Sequence, residues 1–413
     1  MHGQLSRQID PMTSVLYISY TGLLDPLGES QVLQYVRELN RNHSMALLTF
    51  EKPENLARSD AVAAMEAKCR DAGIAWHRRT WHKRPSLAAT AWDVFWGSRQ
   101  ATRIARQVGA RIVHCRSYVG TLIGLNVKRA TGAKLIFDMR GFWADERADT
   151  GRWSRSGTPY RLVKKIERAL FLNADHIVSL TRSGVREFEQ FEYLKDNPPP
   201  SSVIPTCTNL DLFQPLEDKP GPFTLGYVGS VGGWYLFDQV AEAVARMFAI
   251  DPDARFVAIN KGGHDIIRRD LLAAGVDLER CEIKSCAYDE VGRETARMHA
   301  GIFFILPAWS KRASCPTRMG EFLGSGVPCL ANGGVGDVAE DFTNSGTGVV
   351  MPGAEDGRID MSGIDAALRQ LVELTQTPGM AAKCRATAEQ LFSLEGGVAE
   401  YHRIYRTLSG ELS

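Results

Sequence analysis

The sequence predicts an α/β protein with two parallel sheets, and three observations lead to this prediction. Short apolar runs alternate with segments of helical periodicity along both halves of the chain, which is typical of parallel sheets covered by helices on both faces. A stretch rich in proline and polar residues, 195–222, interrupts the alternation, and afterwards the same pattern starts again. The chain of 413 residues is long enough for two such domains with separate cores.

Five buried strands are predicted in the first half, because each run is short, apolar and bounded by turns or helical segments. The helix after the first run is predicted at QVLQYVRELNRN, where apolar residues recur at helical spacing from Val32 to Leu39. The predicted strands are SVLYISY (14–20), MALLTF (45–50), ARIVHCRS (110–117), AKLIFDMR (133–140) and ADHIVSLT (174–181).

The second half repeats this alternation. A long amphipathic segment, 236–249, is predicted to be its first helix, and FSLEGGVAEYHRIYRTL predicts an amphipathic terminal helix. The predicted strands of this half are FTLGYVGS (223–230), ARFVAIN (254–260), GIFFILP (301–307), VPCLAN (327–332) and TGVVM (347–351).

These elements define the expected domain organisation. Residues 1–13 are expected to be a disordered extension and residues 14–200 a Rossmann-like domain, followed by a linker at 201–222. Residues 223–395 would form a second Rossmann-like domain, and residues 396–413 a helix that packs on the body or crosses back to the first domain. Ligands of parallel sheets bind outside the carboxyl ends of the strands, so the cleft between the two domains is the expected site.

Composition narrows the function classes. The formal net charge is +1, so no overall field attracts nucleic acid, and no nucleic-acid partner is expected. Eight scattered cysteines without a C-x-x-C pair argue against zinc and disulfides and favour a reducing, cytoplasmic location. The N-terminus lacks the apolar core of a signal peptide, and the longest apolar run, GIFFILPAW, is too short to cross a bilayer. These observations leave peripheral contact with the inner membrane surface as an open alternative.

The first candidate site is TGLLDPLGESQ, between the first predicted strand and helix. Gly28, directly before the predicted helix, would let the backbone approach a ligand, and free N–H groups there favour an anion or a sugar oxygen. A plain turn capped by Ser30 explains the same residues, so both interpretations stay open.

The second candidate is GYVGSVGGWYLFD, which has G-x-x-G-x-x-G spacing rather than the dinucleotide fingerprint. No acidic strand end follows about twenty residues later, so a nicotinamide site is disfavoured. Gly229 and Ser230 fit a loop that binds nucleotide phosphate, and Lys261 at a strand end would add a point charge. A solvated surface lysine is the alternative for Lys261.

The third candidate is SKRASCPTRMGEF, where basic residues surround a predicted helix start near Pro316. Free amides and cationic side chains together suit a pyrophosphate. Glu321, one turn into the helix, cannot hold a phosphate but could accept both hydroxyls of a ribose. The alternative is a capping-box glutamate, although Thr317 stands four rather than three residues upstream. The nucleotide-binding candidates of this stretch are Lys311, Ser314, Thr317, Arg318 and Glu321.

Charged residues also follow two predicted strands of the first half. His114, Asp138 and Arg140 are candidate catalytic groups, and Arg116 is a candidate acceptor-binding group, because all four fall at strand ends. The acidic residues of the stretch 145–149 are either a metal cluster or a solvated loop; since no further ligand has clear spacing, no metal site is predicted.

The segment WHRRTWHKRP (76–85) interleaves two tryptophans with basic residues. Such a patch suits the phosphate of an acceptor or a membrane surface, and an inert basic loop is the alternative. Its acceptor-binding candidates are His82, Lys83 and Arg84.

Several stretches together resemble one family. VIPTCTNLDLFQP, GYVGS and PTRMGEFLGSGVPCLANGGVGD resemble the retaining glycosyltransferases of family 4, which have the GT-B fold. LGESQVLQYVREL resembles the first glycine loop of that family, and ADHIVSLTRSG its last strand of the N-terminal domain. DMRGFWADER is similar to a bacterial subgroup whose members often build surface polysaccharides. The resemblance runs from about residue 14 to the C-terminus.

The resemblance implies a nucleotide-sugar site in the second domain and an acceptor site in the first. Glu321 matches the second glutamate of the family's E-x7-E motif, which holds the ribose. Thr317 and Arg318 match positions whose backbone faces the phosphates and the sugar.

Three features depart from the family pattern. Ala313 stands where the first glutamate of the motif is expected, and the family's phosphate-binding arginine and lysine fall on Ser230 and Tyr235. The family's N-domain histidine falls near 138–140, where this chain has none. Lys261, Lys311 or Arg318 is the hypothetical source of the missing charge.

The sequence therefore predicts a retaining, hexosyltransferase-type glycosyltransferase. It would move a sugar from a nucleoside diphosphate sugar, UDP favoured over GDP by family habit, to a hydroxyl of a glycan or lipid-linked acceptor. No cofactor and no metal ion are expected. Two alternatives stay open: a nucleotide-sugar epimerase on the same fold, and a non-catalytic homologue that binds nucleotide-sugar.

Overall fold

The computed structural model describes residues 13–84, 86–219, 221–353 and 357–412. The chain forms two parallel sheets with helices packed on them, which confirms the predicted α/β class. The expected N-terminal extension lies, apart from Thr13, outside the described residues.

Seven parallel strands form the first sheet: β1 (Ser14–Ser19), β2 (Ser44–Glu51), β3 (Ala75–Thr80), β4 (Ile112–Arg116), β5 (Lys134–Asp138), β6 (His176–Ser179) and β7 (Ser201–Val203). Their order across the sheet is β3-β2-β1-β4-β5-β6-β7. All five runs predicted in this half are strands. The two that the sequence did not predict, β3 and β7, lie at the edges, where partly exposed side chains leave no continuous apolar run.

Six parallel strands form the second sheet: β8 (Thr224–Val228), β9 (Arg255–Ile259), β10 (Cys281–Lys284), β11 (Ala300–Phe303), β12 (Cys329–Asn332) and β13 (Gly348–Met351). Their order is β10-β9-β8-β11-β12-β13. Again the one strand that the sequence did not predict, β10, is an edge strand whose residues are half-buried or exposed.

Helices cover both sheets. Those before the second sheet are α1 (Pro26–Gly28), α2 (Gln34–Leu39), α3 (Pro53–Leu56), α4 (Ser59–Asp71), α5 (Ser86–Gln107), α6 (Ser117–Thr131), α7 (Trp143–Asp149), α8 (Thr158–Asn173) and α9 (Arg182–Glu189). The later ones are α10 (Phe237–Ile250), α11 (His264–Ala273), α12 (Tyr288–Ala296), α13 (Thr317–Gly324), α14 (Val338–Ser345), α15 (Ile364–Thr375), α16 (Met380–Phe392) and α17 (Leu394–Ser409).

The first helical segment starts earlier than predicted. A π turn, Glu29–Leu33, joins α1 to α2, so the helix begins at Pro26 rather than at residue 31. Leu27 in this first turn is exposed. The apolar periodicity from which this helix was predicted therefore begins several residues after the helix itself begins.

Helix α17 packs on the first domain. The hydroxyl of Tyr405 lies 2.6 Å from Nδ1 of His114 in β4, and Arg111 donates to the carbonyl of Ser409 at 2.6 Å. The chain therefore crosses between the domains twice. The two crossings bond to each other: Thr208 N–H donates to Phe392 O at 2.7 Å, and its carbonyl accepts from Leu394 N–H at 3.1 Å.

The domains also touch directly along one rim of the cleft. A 3₁₀ turn, Trp309–Ala313, leads from β11 to α13 and lies against α7 and α9. The ring of Trp309 stacks on Phe142 with 4.6 Å between centroids, and Lys311 Nζ pairs with Glu146 Oε1 at 2.7 Å. The cleft is consequently closed on this side.

Candidate functional site

A cavity of about 410 Å³ lies between the domains, where β8 and β9 end and α12 and α13 begin. The first domain contributes the residues around the start of its first helix, namely Leu27, Glu29 and Ser30. This is the edge of the sheet at which parallel α/β proteins bind ligands. Six of the predicted donor-site residues line the cavity: Gly229, Ser230, Lys261, Thr317, Arg318 and Glu321.

Arg318 is the buried cation of this cavity. Its guanidinium carbon lies 4.4 Å from the ring centroid of Tyr235 and 4.8 Å from that of Tyr227. Nη2 makes a long hydrogen bond of 3.4 Å to the carbonyl of Ser230, whereas Nη1 has no hydrogen-bond partner in the described part of the chain. An unpaired charged donor is costly to bury, and anions such as phosphate are its usual partners.

Gly229 makes room for this guanidinium. Its φ is +111°, in the region that favours glycine, and an added Cβ would lie 2.6 Å from Nη2 of Arg318. Asn260 fixes the glycine carbonyl through a hydrogen bond of 2.7 Å from Nδ2. The loop after β8 is therefore shaped around Arg318, and a larger residue at 229 would displace it.

Glu321 lies one turn further along α13. It is 9% exposed, lines the cavity and makes no hydrogen bond or ion pair with the described residues. Helix α13 begins after Pro316 with no side-chain cap, so Glu321 has no capping role here. Burial raises the pKa of this carboxyl to about 7, against the opposing effect of Arg318. Its unpaired oxygens are available to hydroxyl donors.

Lys261 and Thr317 flank these two groups. Lys261 is exposed after β9 and forms no ion pair within the described ranges. Thr317 is the half-buried first residue of α13. Together with Arg318 they place positive charge and a helix start on one side of the cavity, an arrangement that favours an anionic ligand.

Tyr288 and Asn260 are site residues that the sequence analysis did not select. Tyr288 opens α12 and lines the cavity; burial, and secondarily the Glu321 carboxylate, raise the pKa of its hydroxyl. Its position follows β10, the unpredicted edge strand, so no strand-end signal pointed to it. Asn260 ends a predicted strand, and this strand-end position could have identified it as a site residue from the sequence.

Lys311 and Ser314, two of the predicted donor-site residues, do not line this cavity. Lys311 is held by Glu146 and lies 3.9 Å from the ring centroid of Trp234, so it stabilises the domain contact instead. The carbonyl of Ser314 lies against Gly336, where an added Cβ would come within 2.2 Å. Both residues belong to the segment that joins the rim to α13.

Gly28 is explained by packing rather than by a bound ligand. An added Cβ would lie 1.9 Å from the carbonyl oxygen of Gly22, so two backbone segments meet there. Its neighbours Leu27 and Glu29 line the cavity, and Gly28 acts by allowing this turn.

Ala313, at the position of the family's first glutamate, is fully buried. Ala313 packs with the core of the first domain. A Cβ added to Gly184 of α9 would lie only 2.9 Å from the Cβ of Ala313. A glutamate side chain has no space here. The departure from the family pattern is thus a consequence of how the 3₁₀ turn docks.

The charged residues of the first domain form a second buried cluster. Asp138 lies 3.3 Å from Arg140 and 3.7 Å from Nε2 of His114. Burial disfavours its charge, but Arg140, His114 and Arg116 hold the pKa of this carboxyl below its usual range. Burial also lowers the pKa of His114, although the neighbouring Asp138 acts in the opposite direction.

This cluster supports α17. His114 is 0% and Asp138 1% exposed, and the rings of Tyr401 and Tyr405 lie 4.8 and 5.8 Å from the His114 ring. Both side chains are therefore covered by the chain itself in this arrangement, and their catalytic role stays a prediction. Arg140 is bound to Asp138.

The predicted basic patch, 76–85, is not a loop over its first half. That part is edge strand β3, where Arg78 pairs with Glu66 at 2.5 Å. His82 follows the strand, and its Nδ1 lies 2.6 Å from Oδ1 of Asp93. Two members of the patch extend beyond these contacts into solvent: Lys83 and Arg84.

The acidic residues around α7 are held by basic groups. Asp145 pairs with Lys164 at 3.0 Å, and Asp149 with Arg155 at 2.5 Å. Among the described residues, no group of three or more His, Cys, Asp or Glu side chains is arranged to hold a metal ion. In the same part of the chain, no helix has the length and apolar character needed to cross a bilayer.

Residues 28–198 match the family described as "Glycosyl transferase 4-like domain". No curated protein sequence matches the chain. Solved structures with the same architecture include sucrose-phosphate synthase from Thermosynechococcus elongatus, with a TM-score of 0.71, 12% identity and coverage of 97% of this chain and 100% of that one. The family match over residues 28–198 confirms, for the first domain, the resemblance to the glycosyltransferases of family 4.

Two other solved structures share this architecture. The Anabaena protein HepE in complex with UDP and glucose gives a TM-score of 0.68 at 13% identity, over 96% of this chain and 100% of that one. A candidate UDP-N-acetylglucosamine 2-epimerase from Listeria monocytogenes gives 0.63 at 13% identity, over 98% of both chains. At such identities the likeness shows the fold, which is GT-B, as predicted.

Proposed function

We propose that this chain is a retaining, hexosyltransferase-type glycosyltransferase that uses a nucleoside diphosphate sugar, because residues 28–198 match a glycosyl transferase 4-like domain and the fold is GT-B. One observation carries the proposal. The cavity between the domains holds a buried arginine with an unpaired donor, Arg318, and a carboxylate without a partner, Glu321. A diphosphate and a ribose would satisfy these two groups.

Arg318 would bind the diphosphate. It occupies the space beside Ser230 and Tyr235, the positions where the family carries its arginine and lysine. The start of α13, and Lys261 at the cavity edge, would add positive potential. As the sugar leaves, negative charge grows on the diphosphate, and these fixed groups stabilise it without reorganisation. With the charge supplied by the chain itself, we propose a reaction that needs neither a metal ion nor a cofactor.

Glu321 would accept hydrogen bonds from the ribose hydroxyls. A carboxylate offers two oxygens to the two hydroxyls, and its ionised form is the acceptor. Tyr288 lies beside the same part of the cavity and presents an aromatic ring suited to stacking on a base. UDP is proposed over GDP, supported by the family resemblance and by the UDP bound to HepE.

The acceptor is proposed to be a glycan or a lipid-linked hydroxyl compound that approaches from the first domain. Arg116 is the group there that suits an anion, because its Nε is buried without a hydrogen-bond partner in the described part of the chain. Lys83 and Arg84 are exposed on the same domain. The free state of all eight cysteines suits the proposed cytoplasmic location.

Two other functions fit part of the site. A nucleotide-sugar epimerase would use the same diphosphate cavity, and one structural relative is a candidate for that activity. A non-catalytic binding protein is favoured by the burial of Ala313, because the glutamate that contacts the donor sugar in the family has no counterpart. These functions differ in their need for an acceptor and in turnover.

The test is a thermal-shift series with UDP, GDP, ADP, CDP, dTDP and NAD, each with and without magnesium. A nucleotide at a hundred times its dissociation constant adds about 2.7 kcal/mol to the free energy of unfolding. We expect UDP to raise Tm without magnesium in the wild type, and to raise it clearly less in Arg318→Met. Arg269→Met, an exposed arginine on α11, is the matched control. A shift with NAD alone would contradict the proposal.

Turnover then separates the three functions. A transferase releases UDP from UDP-sugars when an acceptor is present, and NMR of the product reports whether the anomeric configuration is retained. An epimerase converts the UDP-sugar without any acceptor. Binding without either reaction identifies the non-catalytic homologue.

A further inference from the structure

The outer face of α5 is unusually rich in exposed aromatic rings. Trp92, Phe95 and Trp96, with Leu87 one turn before, are 38–54% exposed. The rings contact one another rather than the core, with centroids 5.7 Å apart for Trp92 and Trp96, and 5.3 Å for Phe95 and Trp96. Grouped exposed aromatic side chains mark a surface that binds something.

Positive charge continues along the same face. Arg99 lies over the Phe95 ring at 3.5 Å and 5.4 Å from that of Trp96. Arg103 and Arg106 follow at helical spacing and are exposed. Asp93, the one acidic residue between Ser86 and Gln107, is fully buried. The exposed face of α5 therefore carries aromatic and cationic groups and no carboxylate.

Contacts on the inner side of α5 hold the helix in place. Asp93 accepts hydrogen bonds from Tyr20 OH at 2.8 Å and from His82 N–H at 3.1 Å. On the inner side, a Cβ added to Gly97 would lie 2.7 Å from the Phe50 ring, which shows how tightly α5 packs. The aromatic face is consequently presented to solvent by a satisfied, well-packed helix.

We propose that this face of α5 docks on an anionic lipid bilayer. Trp92, Phe95 and Trp96 would enter the headgroup region, where tryptophan is enriched in membrane proteins. Arg99, Arg103 and Arg106 would contact lipid phosphates, with their stems on the apolar boundary. Amphipathic helices that lie in the interface combine these same residue types.

Charge decides between a bilayer and a second copy of the chain. Two copies of this face would bring six arginines together with no exposed carboxylate from either α5 to neutralise them. An anionic membrane neutralises every one of these charges. Lys83 and Arg84, exposed just before α5, extend the positive surface and complement the same partner.

The position of α5 connects the membrane to the cleft. Its aromatic end lies at the carboxyl edge of the first sheet, because Asp93 bonds to Tyr20, which directly follows β1. The diphosphate cavity opens along this same edge. A chain docked through α5 would therefore present its cleft near the bilayer surface. The docking itself depends on no step of the proposed reaction.

The first experiment is co-sedimentation of the full chain with vesicles. We expect binding to phosphatidylcholine vesicles that contain roughly one-third phosphatidylglycerol, at least about tenfold tighter than to phosphatidylcholine alone. Replacing Trp92, Phe95 and Trp96 together by serine should weaken that binding about tenfold or more. Since these side chains are exposed, the variant should keep its Tm and its nucleotide-induced shift. Leu162→Ser with Leu272→Ser, two exposed leucines on other helices, is the matched control.

A second variant tests the charge. Arg99→Gln, Arg103→Gln and Arg106→Gln together should reduce binding to the level seen with neutral vesicles, and Arg269→Gln, Arg293→Gln and Arg297→Gln should not. The proposal is overturned if wild type ignores anionic vesicles, or if the serine variant binds them equally. It is also overturned if the serine variant turns a dimer into a monomer in light scattering, because the face is then an interface between copies. The nucleotide shifts report separately on the proposed function.

Discussion

Both domains bury arginine near the carboxyl edge of a parallel sheet, yet the two environments differ. In the second domain, Arg318 rests on tyrosine rings, keeps one donor unpaired and lines a cavity. In the first, Arg140 is bound to Asp138 beneath α17. A charged residue near this edge of a sheet is therefore available to a ligand only where the fold leaves it unpaired. Where another part of the chain covers and neutralises it, the same signal marks a docking site within the protein.

The strongest test of this contrast is Asp138→Ala. It would leave Arg140 without its partner carboxylate, and removing one partner of a buried ion pair costs about 3–5 kcal/mol. We expect a large loss of Tm with UDP affinity nearly unchanged in the fraction that stays folded. The exposed Asp253→Ala is the control. An unchanged Tm together with lost turnover would return Asp138 to a catalytic role.

Arg318→Met is expected to have the reverse effect. Met fills much of the volume, so Tm should change little, because replacing a buried charge with an apolar residue is often neutral. Loss of a charge-assisted hydrogen bond to the diphosphate should weaken UDP binding by about 1.5–3 kcal/mol. Calorimetric titration measures this change. If instead the protein unfolds at lower temperature while its UDP affinity is kept, Arg318 is structural as well, and the contrast between the domains fails.

Glu321→Gln probes the pH dependence of the cavity. With a pKa near 7 in the folded chain against 4.5 in the ordinary state, Glu321 keeps its proton longer when folded. The contribution of the Glu321 carboxyl to the free energy of unfolding is therefore greatest below its ordinary pKa of 4.5 and declines as the pH rises toward 7. Glu321→Gln should gain stability over wild type between pH 5 and 8, on the order of 1–3 kcal/mol. Chemical denaturation of both proteins at pH 5 and at pH 8 measures this difference in stability.

The same substitution should weaken UDP binding by about 1–2 kcal/mol at pH 8, since the amide offers one acceptor instead of two. Wild-type affinity should rise between pH 6 and 8 as the carboxyl ionises, while that of the variant should change less. Parallel pH profiles for the two proteins would show that Glu321 does not contact the ligand.

Tyr405→Phe should have the smallest effect. It removes the hydroxyl that bonds to His114 Nδ1 and should cost about 1 kcal/mol of stability. UDP affinity should stay the same, because the bond lies in the docking cluster rather than the cavity. A change in UDP affinity larger than the change in stability would indicate that the two clusters are coupled.

Much of the fold and half of the donor site were accessible from sequence. Central strands are buried on both faces and show as apolar runs, whereas the edge strands β3, β7 and β10 do not. The cavity residues Gly229, Arg318 and Glu321 could be found because their motif lies at a strand end or a helix start. The pairing of Lys311 with Glu146 could not, because the partners are far apart in sequence and only the docked domains bring them together.

The C-terminal helix was recognised from its periodicity, but its partners were not. The pattern in 392–408 shows an apolar stripe without showing which domain receives it. His114 and Asp138 therefore read as free polar groups at strand ends, although Tyr401 and Tyr405 cover them in the folded chain. Because this cover comes from a distant part of the sequence, the burial of His114 and Asp138 could not be predicted from the strand ends alone.

The return of α17 to the first domain makes the second domain an insertion within the first. The second domain can complete its own core from contiguous chain, but the first lacks the cover over His114 and Asp138 until residues 394–409 have been synthesised. We therefore expect the second domain to mature earlier, although it is made later. The paired bridge between Thr208 and Ser393 places the two covalent connections between the halves side by side.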